Sequence, residues 1–219
     1  MQKVQSALKA LANPAKAIIL QRFFKTGKGE YGEGDIFLGI QVPQLRLVAK
    51  QFAGISLKEI EQLLNSKIHE ERMVALFILV IQFQKAEKTK DAKLREIIFH
   101  FYLTNARLIN NWDLVDLSAP NIVGNYLLNK NHDVLFKMAR SENLWEKRIA
   151  IISTFSFIRA GQFEDTFKIV EMLLNDKHDL IHKACGWMLR EVGKRNQAAL
   201  EEFLELHYSQ MPRTMLRYA

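Results

Sequence analysis

Nearly every stretch of this 219-residue chain repeats its apolar side chains with a helical period, and no polar–apolar alternation runs long enough to make a strand. Cap residues mark the boundaries. Asn13 stands before Pro14, the pairing that starts a helix leading into Ile18, Ile19 and Phe23. Ser56 and Glu59 form a capping box ahead of Ile60, Leu63 and Leu64. Ser118, two residues before Pro120, reads as a further boundary, and Asn131 and Asn196 open helical stretches at 134–138 and 200–206. The expectation is an all-α chain of roughly a dozen helices of ordinary length. Only 4 Pro and 10 Gly are present, which argues against a turn-rich all-β alternative.

Length and composition narrow the class. With 48% hydrophobic and 25% charged residues the chain has the makeup of a globular protein with a sizeable core, read here as one domain over 1–219. A lone Cys185 excludes an internal disulfide and a Cys-rich zinc site, so the reducing cytoplasm is the expected home. The longest apolar run, 74–81, is far short of the ~20 residues of a membrane span, and the N-terminus lacks the apolar core of a signal peptide. The net charge of +7 points to polyanionic partners, and it is uneven. Residues 1–100 carry 16 basic and 10 acidic side chains, whereas 101–219 carry 15 and 14.

Three segments resemble one another: Glu70-Glu71-Arg72-Met73-Val74, Glu146-Lys147-Arg148-Ile149-Ala150 and Ile181-His182-Lys183-Ala184-Cys185. Each sets a basic residue at the head of an apolar helix. Arg72 and Arg148 lie 76 positions apart, two steps of 38, and Lys183 follows after 35 more, with 110–123 filling the missing copy. That spacing suits HEAT-like helix pairs stacked in an array better than a closed bundle, the alternative being an irregular helical domain. The one non-helical stretch, 26–35, holds four glycines and matches G-x-G-x-x-G by chance. It follows a helix rather than a strand, and Glu30, Glu33 and Asp35 would repel a pyrophosphate, so it reads as a surface loop.

Candidate chemistry centres on the tryptophans. Trp112 lies four residues before Asp116, so indole and carboxylate share one helix face; Trp187 lies four after Lys183 and three before Arg190. Aromatic rings interleaved with cations suit nucleic acid. Trp145, in Leu144-Trp145 at a helix start, reads as core. Asp116 sits on the flank of an apolar stripe, where an ionised group costs several kcal/mol unless paired. Two readings stand: a salt bridge to a basic repeat residue such as Arg148, or a functional carboxylate. Asp113 reads as solvated or capping. His178 and His182 are spaced i, i+4 but have no third metal ligand nearby, no nucleophile elbow is visible, and Lys88, Lys90, Lys93 and Arg95 read as a solvated helix start.

Several stretches together resemble the DNA alkylation repair family, the AlkD-type alkylpurine DNA glycosylases. They are Phe37-Leu38-Gly39-Ile40-Gln41-Val42-Pro43 with Arg46, Trp112-Asp113-Leu114-Val115-Asp116, Asn143-Leu144-Trp145-Glu146-Lys147-Arg148, and Lys183 through Glu191 around Trp187. The resemblance implies a curved right-handed HEAT-like superhelix that grips duplex DNA in a concave groove. It implies hydrolysis of the N-glycosidic bond of cationic N7- and N3-alkylated purines, 7-methylguanine and 3-methyladenine, without flipping the base. By motif it assigns Asp116 to catalysis, Trp112 and Trp187 to the lesion's deoxyribose, and Arg148, Lys183 and Arg190 to the DNA backbone. The family's early-helix aromatic, commonly Tyr, falls on Phe23 or Phe24. No metal or organic cofactor is implied, and the expected form is a monomer acting in the cytoplasm. The competing reading is a non-catalytic DNA-binding relative that recognises damaged or branched DNA, and a protein-binding scaffold stands third.

Overall fold

The computed structural model describes residues 1–219. It is all-helical, with fourteen α-helices and one isolated parallel bridge between Ile36 and Ile68. The chain divides into two compact units, Met1–Leu114 and Val115–Ala219. No helix is long and apolar enough to cross a membrane.

The first unit is built around one buried helix. It contains α1 (Gln2–Ala10), α2 (Pro14–Phe23), α3 (Val42–Gln51), α4 (Leu57–Leu64), α5 (His69–Lys88), α6 (Ala92–Thr104) and the start of α7 (Trp112–Ala119). Every residue of α5 from Met73 to Leu79 is buried, because that run is apolar on all sides of the helix. Helices α1, α3, α4 and α6 pack on it. The Asn13 cap accepts the Lys16 N–H, and Ser56 and Glu59 close their capping box, as their spacing predicts.

The connection between α2 and α3 runs back across the head of α5. Ile36 donates its N–H to Lys67 O at 2.9 Å, and the His69 N–H reaches Ile36 O at 2.8 Å. Glu70, 1% exposed, accepts from the N–H groups of Leu38 (2.9 Å), Gly39 (2.8 Å) and Ile40 (3.3 Å). This carboxylate takes up three donors that no ladder satisfies, which an interior segment requires. Gly39 is dictated here: its φ is +82°, and a Cβ would stand 2.2 Å from Asn13 O. In the Gly-rich stretch, the N–H groups of Gly27 and Gly29 donate to the carboxylates of Glu30 and Glu33, so donors that a dinucleotide loop would offer to phosphate are taken by its own acids.

The second unit holds the rest of α7, a π turn (Pro120–Gly124), α8 (Asn125–Leu127), α9 (Asp133–Ala139), α10 (Leu144–Arg159), α11 (Glu164–Leu173), α12 (Asp179–Gly193), α13 (Gln197–His207) and α14 (Arg213–Tyr218). Helix α10, buried along most of its length, packs against α9, α11 and α12, and α12 packs against α13 and α14. At Gly186 a Cβ would come within 2.3 Å of Met215 O, so glycine lets α14 lie directly on α12. Ser118 does not start a helix as its spacing from Pro120 suggested. It lies inside α7, and the chain runs on through the π turn. Proline has no N–H for the i−4 carbonyl, and the backbone passes it by widening one turn instead of stopping. Ser156 donates to Pro120 O at 2.7 Å from α10 and steadies that turn. Asn196 caps α13 through the Ala199 N–H.

Candidate functional site

In the second unit the central feature is a bidentate ion pair. Asn143 caps α10 by accepting from the N–H groups of Trp145 and Glu146, and this sets the helix so that Arg148 points inward one turn later. Arg148 donates Nε to Asp116 Oδ1 at 2.9 Å and Nη2 to Asp116 Oδ2 at 2.8 Å. Its Nη1 donates to Leu180 O at 2.5 Å. Arg148 is 4% exposed, so this planar fork acts in a largely dry setting. The Asp116 side chain keeps 15% of its surface accessible. The result is a carboxylate held in one orientation by a guanidinium and still in part accessible to solvent.

Trp187 lies on α12, half-buried, tilted against Phe155 with ring centroids 5.7 Å apart. Its side chain hydrogen-bonds the Glu191 carboxylate. Burial would raise that carboxyl, but Lys194 and Arg195 beside it hold it below the ordinary range. Lys183 pairs with Asp179 at 2.7 Å near the surface, and Arg190 is exposed, its guanidinium over the Tyr218 ring and its Nη2 donating to Arg217 O. Trp145 is a core residue, 7% exposed. His178 and His182 are engaged separately: His178 caps α12 by accepting the Leu180 N–H, and His182 Nε2 bonds Asp176 O.

In the first unit the two early-helix phenylalanines part company. Phe24 is buried and stacked between Trp112 (5.3 Å, 16°) and Phe37 (4.9 Å, 19°). Phe23 is 62% exposed and meets Trp112 edge-on at 6.0 Å. Phe23 also lines a cavity of about 510 Å³ with Ile19, Phe37, His69, Glu70 and Asp113. Trp112 opens α7, which carries Asp116 one turn further on.

Below this aromatic stack lies a charged cluster that sequence reasoning missed. His69 Nε2 is 2.9 Å from Asp113 Oδ2, and its Nδ1 is 3.3 Å from Asp35 Oδ2. Arg72 Nη2 donates to Asp35 Oδ2 at 2.6 Å. All four residues are buried. Asp113, expected to be solvated or capping, accepts the Leu114 N–H but is buried against His69. The available signal was His69-Glu70-Glu71-Arg72 directly abutting a run apolar on all sides: four ionisable groups so placed must find internal partners.

Comparison with known proteins fits this architecture. The family model of the DNA alkylation repair enzymes matches residues 4–219. A solved structure described as a predicted DNA alkylation repair enzyme from Enterococcus faecalis superposes with a TM-score of 0.70. It is 19% identical, with 94% of each chain covered, and thus shares the fold. Among curated proteins none matches the chain. On the family match across nearly its whole length, the chain belongs to the DNA alkylation repair enzyme family.

Proposed function

We propose that the protein is a DNA glycosylase that hydrolyses the N-glycosidic bond of cationic N7- and N3-alkylated purines in duplex DNA, with Asp116 as its catalytic carboxylate. The observation that carries this reading is the Asp116–Arg148 fork, an anion fixed in orientation whose side chain keeps part of its surface accessible. Alkylation at N7 or N3 makes the purine a cation, which departs without being protonated, so no general acid is needed. What the protein must stabilise is the positive charge that grows on the sugar as the bond breaks. A carboxylate already oriented before reaction does so without reorganisation and can direct the attacking water to C1′.

In this reading Trp112 and Trp187 set indole faces against the deoxyribose, where cation–π attraction is stronger in the transition state than in the ground state. The exposed Phe23 beside Trp112 supplies the early aromatic contact. Arg148 acts by positioning Asp116, and Lys183 and Arg190 are the backbone contacts. Family membership supports DNA as the substrate, and the +7 charge is consistent with a polyanion. The packed helix pairs α4–α5, α9–α10 and α11–α12 support reading the repeats as HEAT-like.

The test is incubation with methylated duplex DNA and chromatographic identification of released bases. Release of 7-methylguanine and 3-methyladenine above the spontaneous background is expected. Tight binding to the same duplex with no released base would make the protein a DNA-binding relative.

A further inference from the structure

The His69 cluster is not used by the mechanism above, yet it sits where one of its residues is set. Asn111 and Asp113 flank Trp112 in sequence, and both are anchored to the same cluster. Asn111, fully buried, accepts the Trp112 N–H at 2.8 Å and reaches Asp35 Oδ2 with its Nδ2 at 3.4 Å. Asp113 accepts from His69 Nε2 on the other side. The first turn of α7 is therefore fastened at two points, through the residues before and after Trp112 in sequence.

The second of these attachments, from Asp113 through His69 to Asp35, depends on how His69 is protonated. Both ring nitrogens face carboxylate oxygens, which an imidazolium satisfies with two N–H donors and a neutral ring cannot. Arg72 Nη2 also lies 3.5 Å from Nδ1, too far to compete with its own 2.6 Å bond to Asp35. The ring stacks on Phe37 at 4.5 Å, which holds its plane. The charged groups facing it are Asp35 from the α2–α3 connection, Arg72 from α5 and Asp113 from α7, with Glu70 and Lys16 of α2 lining the adjoining cavity.

We propose that His69 is a positioning residue for Trp112: as a cation clamped between Asp35 and Asp113 it fixes the first turn of α7, and loss of its proton opens the clamp and slows excision. The second half rests on the reading of Trp112 given under Proposed function. Burial draws the imidazole toward neutrality, but Asp113 and Asp35 outweigh it against the opposition of Arg72 and hold its pKa above the ordinary histidine value. A raised folded-state pKa means that the clamp's stabilisation is complete below the unfolded value of ~6.5 and fades as pH rises through the folded one. The opening is thus an alkaline event.

Two readouts test it. The first is Trp112 fluorescence from pH 6 to 9, taken as the difference from Trp112→Phe, in the wild type, in His69→Gln and in Asp113→Asn. One step above ~6.5 is expected in the wild type and in neither variant. Asp113→Asn, which removes the anion and keeps the side-chain shape, decides the matter should His69→Gln not fold. A flat wild-type signal, or a step that persists in the variants, overturns the clamp. The second is the ratio of wild-type to variant single-turnover excision rates against pH, in which the titration of the substrate cancels. A ratio on the order of tenfold near neutrality, falling toward one as pH rises, is expected for a displaced contact. A constant ratio in a protein that releases bases overturns the positioning role. If no base is released at all but the Trp112 step is intact, the clamp stands and the glycosylase reading is what fails.

Discussion

Asp116→Asn is expected to lower single-turnover excision of 7-methylguanine by about 10²–10³-fold, the usual loss when one preorganised electrostatic group is removed from a transition state. The Asn keeps the shape and one oxygen that can still accept from Arg148, so the protein is expected to fold. It removes the negative charge that both the sugar cation and the guanidinium need. Because the Arg148 fork is largely buried, a stability loss of roughly 1–3 kcal/mol should accompany the kinetic effect. The bidentate geometry thus joins activity to stability at this residue. Circular dichroism at the assay temperature separates the two, and a folded variant with wild-type excision would remove Asp116 from catalysis.

Arg148→Ala carries the other large effect, and it falls on stability. The truncation leaves the Asp116 carboxylate without its fork and Leu180 O without the donor it has in the intact protein. Breaking a buried pair from one side costs about 3–5 kcal/mol, since the remaining charge stays desolvated. For a chain of this length that lowers Tm on the order of 10 °C. Read from motif resemblance, Arg148 was a phosphate contact, and that role predicts something different: an unchanged Tm, with duplex binding weakened on damaged and undamaged DNA alike and a salt slope smaller by about one. Thermal denaturation together with a salt titration of binding distinguishes them.

What was legible in the sequence was mostly local. Asn13, Ser56 and Asn196 act as caps because a cap is decided by a side chain and a backbone N–H three residues away. The all-α class followed from periodicity, and Trp145 was readable as core from its place at the start of an apolar helix. Pro120 was misread because the residues before it look like a helix start, and only the packed surroundings let the helix pass through as a π turn. The Asp116–Arg148 pair was visible as one of two options because a carboxylate on the flank of an apolar stripe needs a cation, and the basic residues at the heads of the repeats offer one. The His69 cluster was not visible, since its bonds join residues 34 and 44 positions apart with no repeat to align them. The choice between Phe23 and Phe24 was likewise beyond the sequence: adjacent residues of one type differ only in which way the end of α2 faces.

The central claim is that a fixed carboxylate and the base's own charge together suffice for excision, with no proton donor to the leaving group. Its most direct test is a single-turnover comparison of duplexes that differ only at one site, carrying 7-methylguanine, a bulkier cationic N7 adduct, uracil or hypoxanthine. The cationic lesions should be released and the neutral ones left in place, because only the latter need a general acid. Efficient release of uracil or hypoxanthine would contradict the account by requiring such an acid, and rejection of every bulky cationic adduct would contradict it by requiring a closed base pocket.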